Sequence, residues 1–222
     1  MGTYRKTAPA IEPVTVTEAK SWCRVDQSDD DLIFQFLIGT AREFVESHIG
    51  RALISTTFEY RLDEWPGRSG GYNHLATIGT LSPISLLSWP AQTPRSECIY
   101  LPMGNVISVD SVTYVASTGS VETMTAVTDY QTSLTSVPAR IMPAANTTWP
   151  WLGMQHLDSV CITYKAGFGA NANDVPYELR CAILMLVELY YAERKPVIFT
   201  DARPLPFAVE AMLSHYAINI GS

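Results

Sequence analysis

The stretch "CITYKAGFGANANDVPYELRCAI" occupies Cys161–Ile183. It reads as a strand, a Gly-Phe-Gly turn and the start of a helix. Gly167, Gly169 and Ala172 match G-x-G-x-x-A, the loose form of the dinucleotide fingerprint. In a true fingerprint the glycines open the helix, so that free backbone N–H groups meet the pyrophosphate. Here Asn171–Val175 separate Gly169 from Pro176, and proline has no N–H to offer. No second strand with an acidic end follows, because Glu188 and Glu193 fall within the predicted helix. The stretch therefore reads as a joint between a strand-rich part and a helical part, and no cofactor is expected.

Three segments follow from this joint. Residues 1–51 read as helical. Thr15 and Glu18 are spaced as a capping box, opening a short helix. Ser28 or Asp29 is the expected cap of a second helix, roughly Asp30 to Ile49, with Gly50 as its C-cap. The apolar positions of that helix cover an arc of about 260°, where a one-sided surface helix needs only about 100°. Its polar strip is narrow: Asp31, Gln35, Arg42, Glu43 and Glu46. It should be covered from more than one direction.

Residues 52–166 read as strands. "TTFEYRLD" alternates, with Phe58, Tyr60 and Leu62 on one face. "VISVDSVTYVASTGSVETM" is a strand, a turn at Ser117–Ser120 and a returning strand; "ARIMP" and "SVCITYK" are strand-like, the latter with Val160, Ile162 and Tyr164 inward. Between them, 67–97 is long and rich in Gly, Ser and Pro. A loop of that length usually has a function or is disordered. Residues 167–222 are helical again. Asp174 is the expected cap and Pro176 the first helical residue. Leu179–Ala192 is apolar nearly all round, which predicts an enclosed helix. A short amphipathic helix over Ala208–Tyr216 follows a Pro-punctuated connector. The fold class is α+β.

Composition narrows the function. The chain has 222 residues, a 47% hydrophobic fraction, a net charge of −7 and a pI near 5.0. That is enough to bury a sizeable core. It argues against a protein that grips phosphates, which needs clustered Lys and Arg. No apolar leader or membrane-length run is apparent. Cys23, Cys98, Cys161 and Cys181 are scattered and read as free thiols. Asp29-Asp30-Asp31 lacks the alternate-ligand spacing of a calcium loop, and His48, His74, His156 and His215 lack zinc spacing, so no metal is expected. Gly67-Arg68-Ser69-Gly70-Gly71 fits G-x-S-x-G, but no helix follows it, as a nucleophile elbow requires. No catalytic constellation emerges.

Two helices carry more apolar surface than half a chain can hide. Neighbouring copies would cover the excess. The face of the second helix with Phe34, Ile38, Arg42 and Glu46 is the expected subunit contact.

"EPVTVTEAKSWCRVDQSDDDLIFQFLIGTAREFVESHIGRALISTTFEYRLDEWP" resembles the N-terminal signature of tailed-bacteriophage head–tail connector, or adaptor, proteins. That signature runs E-P-(V/I)-(T/S)-x-x-E-A-K, then D-D-D, then A-R-E-x-(V/I)-E and G-R-A-L. "SVDSVTYVASTGSVETM", "PARIMPAANTTWP" and "VCITYKAGFGANANDVPYELRCAILMLVELYYAER" follow in the family's order. The resemblance covers roughly 12–66 and 99–194. It implies a helical bundle of N- and C-terminal helices with a β-rich insertion, and a ring, commonly of twelve subunits, docked beneath the portal. Such rings carry the DNA channel towards the tail or a stopper protein and have no catalytic site. They sit at the head–tail interface of virions assembled in the host cytoplasm. By the same analogy Leu205, Pro206, Phe207, Leu213, Tyr216, Ile218 and Ile220 would contact the portal.

The segment 67–97 is longer than the family's usual linker. An arm towards the tail, a capsid contact and a clasp between neighbours all stay open for it. If Asp29, Asp30, Asp31, Glu43 and Glu46 face the lumen, passing DNA meets repulsion and not a sticky wall; an ordinary solvated face is the alternative. The rival function is a phage DNA-packaging or DNA-binding accessory protein, which salt-dependent DNA binding would reveal.

Overall fold

The computed structural model describes residues 2–66, 97–153, 157–193 and 206–218. Along the chain these form β1 (Gly2–Arg5), α1 (Val16–Cys23), α2 (Asp31–Ile49), β2 (Thr56–Leu62) and β3 (Ile99–Tyr100). Then come β4 (Val106–Val115), β5 (Val121–Met124), β6 (Tyr130–Ser133), β7 (Arg140–Pro143) and β8 (Val160–Ala166). A 3-10 turn (Ala172–Asp174), α3 (Tyr177–Ala192) and α4 (Phe207–Ser214) close it. The fold is α+β, with two antiparallel sheets ordered β1-β2-β8-β4-β5 and β3-β7-β6.

The alternation in the strands determines the first core. On central β8, Val160, Ile162, Tyr164 and Ala166 are fully buried. They face the same way as Phe58, Tyr60 and Leu62, their register partners on β2 being Tyr164, Ile162 and Val160 in turn. Trp65 and Trp149 stack at 4.4 Å within this core. The Tyr164 hydroxyl donates to the Pro102 carbonyl at 2.8 Å, and burial pushes its pKa up.

The second core lies between helices. α2 contributes Phe34, Ile38, Ala41, Val45 and Ile49; α3 contributes Leu179, Ala182, Ile183, Leu186 and Val187; α4 adds Val209 and Leu213. Phe34 stacks on Tyr191 at 4.6 Å, so the start of α2 meets the end of α3. Trp22 Nε1 donates to Glu188 at 2.8 Å, which brings the end of α1 to the same place. The chain crosses between cores at Ala52-Leu53-Ile54: Ala52 packs into the sheet core, Leu53 and Ile54 into the helical one.

Several local expectations change. The capping box at Thr15 and Glu18 is present, with Glu18 N–H donating to Thr15 Oγ1 at 3.2 Å and Thr15 N–H to Glu18 Oε2 at 2.8 Å. The N-cap of α2 is Asp30, without a side-chain cap bond, and not Ser28 or Asp29. Pro176 is itself the N-cap of α3, because Asp174 is already used in the 3-10 turn before it. β1, β3 and β6 are strands that the sequence reading did not contain. α3 buries one face, while Tyr177, Glu178 and Glu188 are exposed, so it is not enclosed all round within one chain.

Candidate interaction surfaces

The Gly-Phe-Gly turn is built to join the two cores. Gly167 has φ +149°, and a Cβ there would lie 2.5 Å from Ser55 N. Its N–H donates to Asn105 O at 3.0 Å, Phe168 N–H to Leu53 O at 3.0 Å, and Ser55 N–H to Gly169 O at 2.8 Å. Beyond it, Asn171 N–H donates to Asp174 Oδ2 at 2.9 Å. A Cβ on Gly169 would fall 2.2 Å from that same carboxylate oxygen. The N–H groups of Gly167, Phe168 and Asn171 are thus already paired within the chain, and a carboxylate covers the second glycine.

A buried ionic clasp lies beside this joint. Glu46, 3% exposed, accepts from Arg42 Nη1 at 2.8 Å, Arg5 Nη2 at 2.5 Å and Leu53 N–H at 2.9 Å. Arg42, 4% exposed, also donates to Glu12 at 2.8 Å. Burial pulls the Arg42 guanidinium down, but Glu46 and Glu12 outweigh it and hold its pKa above the ordinary value. Phe34, Ile38, Arg42 and Glu46, expected as a subunit contact, therefore all face the interior of their own chain. Sequence reading took Arg42 and Glu46 for surface because charged residues are rarely buried unless paired. Their i,i+4 spacing and the neighbouring Glu43, which accepts from Arg42 Nη2 at 3.3 Å, were the local signs; two further partners, Arg5 and Glu12, are about thirty residues or more away in sequence.

A second charged cluster fastens β1. Glu59 accepts from the Tyr4 hydroxyl, from Lys6 Nζ at 2.6 Å and from Arg61 Nη2 at 3.1 Å. Hydrogen bonds from Lys6 and then Tyr4 hold the Glu59 carboxyl down at about 2.

The acidic run is divided. Asp30 accepts from the Tyr191 hydroxyl at 2.6 Å, and Asp31 pairs with Lys20 at 2.6 Å; both tie α2 to neighbouring helices. Asp29 is exposed, and the Glu43 side chain is 68% exposed. Asp31 and Glu43, twelve residues apart, point about 120° from one another around α2.

The C-terminal residues divide likewise. Leu213 is fully buried. Tyr216 sits edge-on to Phe168, and Ile218 N–H donates to Ile49 O at 3.0 Å. Pro206 and Phe207 are exposed; Leu205 and Ile220 lie outside the described residues. So do residues 67–96, with the G-x-S-x-G match and His74, and also His156.

Among the exposed large apolar side chains, Leu32 and Phe36 lie on α2, with Ile33 and Trp22 beside the same end of the helices; Val127, Trp151, Leu157, Tyr177 and Phe207 are exposed elsewhere. Two shallow cavities of about 240 and 330 Å³ lie in the sheet part, the first lined by Tyr114, Glu122 and Asp129. These acids already accept from Tyr114 and from Thr125 N–H. Among the described residues no three His, Cys, Asp or Glu side chains are grouped to hold a metal. None of the described helices is long and apolar enough to cross a membrane.

The architecture has counterparts among solved structures. A chain in a reconstruction of the neck of an empty gene transfer agent particle, computed with C6 symmetry, superposes with a TM-score of 0.70 at 21% identity. The match spans 98% of this chain and 95% of that one. The chain has the fold of a particle-neck protein. The virion of a native gene transfer agent particle gives 0.68 at 21% identity, and a native neck computed with C12 symmetry gives 0.64 at 20%, each with the same coverage. No protein-family model and no curated protein matches the sequence.

Proposed function

We propose that this chain is a structural subunit of a head–tail adaptor ring. In that role it joins the portal of a DNA-filled phage or phage-like head to the tail or stopper and prolongs the DNA channel. The observation that carries this reading is the fold match over 98% of the chain to proteins from particle necks reconstructed with sixfold and twelvefold symmetry. The exposed Leu32 and Phe36 support it, since large apolar side chains in that state are usually covered by a partner.

In this reading α1, α2, α3 and α4 form one bundle and the sheets an inserted lobe. Asp29 is the carboxylate of the predicted set left to line a channel; Asp30 and Asp31 serve helix packing, and Glu43 pairs with Arg42 of its own helix. An acidic wall repels phosphate and lets DNA slide. Pro206 and Phe207 are the portal contacts of the C-terminal segment, with Leu205 and Ile220 as further candidates. The work is mechanical, done in the virion after assembly in the host cytoplasm.

Cryo-electron microscopy of particles carrying a tagged copy tests the placement. Tag density in a ring between portal and tail supports it. Tag density on the capsid surface or tail tip, or none in the particle, overturns it.

A further inference from the structure

The outward stripe of α2 is chemically ordered. Leu32 is 79% and Phe36 74% exposed. At 100° per residue, Leu32, Phe36, Gly39 and Glu43 fall within an arc of about 60°. A Cβ on Gly39 would meet only Glu12 Oε1, at 3.9 Å, so the helix backbone is approachable there. The stripe thus presents two large apolar groups, a gap and the carboxylate of Glu43, which is 68% exposed while it accepts from Arg42 Nη2 at 3.3 Å.

The outer face of the β3-β7-β6 sheet has the complementary order. Tyr100 is 51% and Met142 38% exposed. Tyr100 is in register with Arg140, and Gln131 with Met142, so these side chains form two adjacent rows. Arg140 is exposed and makes no ion pair among the described residues. The opposite face of this sheet, Ile99, Tyr130 and Ile141, is the buried one.

We propose that the two patches meet between neighbouring copies of this chain: the α2 stripe of one copy lies on the β3-β7-β6 face of the next. This rests on the ring reading above. Phe36 and Glu43 are about 10 Å apart along the helix axis. Met142 and Arg140 are about 7 Å apart along β7, and the length of the arginine side chain covers the difference. Phe36 then sits on Tyr100 and Met142 while Glu43 meets Arg140. The charges are opposite, which sets orientation more than affinity. Because the patches differ, the contact is head-to-tail, the kind that repeats around a cyclic ring.

The test uses assembled particles. In the Phe36→Cys/Met142→Cys variant, a short bismaleimide should give a ladder of covalent multimers, which neither single variant gives. Separately, Glu43→Arg or Arg140→Glu should lower incorporation about tenfold, and the two together should restore it. A normal ring in micrographs with no ladder, or with charge reversals that have no effect, overturns this contact and leaves the ring reading standing. Particles without any ring of this protein overturn both.

Discussion

Replacing Glu46 by alanine removes the acceptor of three hydrogen bonds, from Arg42, Arg5 and Leu53 N–H. Breaking a buried ion pair on one side costs about 3–5 kcal/mol. Arg42 keeps Glu12, so the low end, about 3 kcal/mol, applies to it. Stranding the Leu53 N–H adds about 1 kcal/mol. For a chain of this length each kcal/mol lowers the melting midpoint by about 2–4 °C, giving a fall of about 8–16 °C. Thermal unfolding followed by circular dichroism reads it, with urea titration for the free energy. The Arg42→Met/Glu46→Leu pair should recover at least half the loss, because no charge then stays stranded in the interior; Arg5 is part-exposed and can turn to water. A Glu46→Ala protein within about 1 kcal/mol of the parent would refute the reasoning. So would a paired variant as unstable as the single one.

The other expectations concern the joint, acid, the exposed stripe and DNA. Gly167→Ala should lose about 1–3 kcal/mol in urea titration, since its φ is positive and Ser55 N occupies the place of a Cβ. Glu59 has a folded pKa of about 2, below its ordinary value, so its stabilisation is present above the ordinary carboxylate range and fades as pH falls towards 2. The urea midpoint should therefore drop between pH 5 and pH 3, and less steeply in Glu59→Gln; an unchanged slope would count against the cluster at β1. Leu32→Asp/Phe36→Asp should melt within about 0.5 kcal/mol of the parent yet be missing from particles. The purified protein should show no DNA retention at low salt; salt-dependent binding would favour a DNA-binding accessory role.

Legibility in the sequence followed pattern strength. β2 and β8 announce themselves by alternation, and the inward residues expected of them, Phe58, Tyr60, Leu62, Val160, Ile162 and Tyr164, are buried. α1 was marked by the Thr15–Glu18 spacing and α2 by its run up to Gly50, which caps it at φ +67°. β1 carried no such mark: "GTYR" is polar, and it is fastened by Tyr4, with Lys6 just beyond, to Glu59, a long-range charge contact without periodicity. β6, "YQTS", is likewise mostly polar. The largest misreading was on α2. Phe34, Ile38, Arg42 and Glu46 were expected on a contact with a neighbouring copy, yet all four are buried within their own chain, the two charges by mutual pairing, while Leu32 and Phe36 stand in solvent. Only the fold shows that the exposed large apolar side chains of α2, Leu32, Ile33 and Phe36, lie in its first two turns.

The adaptor role is tested most directly by imaging particles produced without this protein. The account predicts DNA-filled heads separated from tails, with infectivity or transfer restored when the purified protein is added back. Intact, tailed, fully active particles assembled in its absence would contradict it.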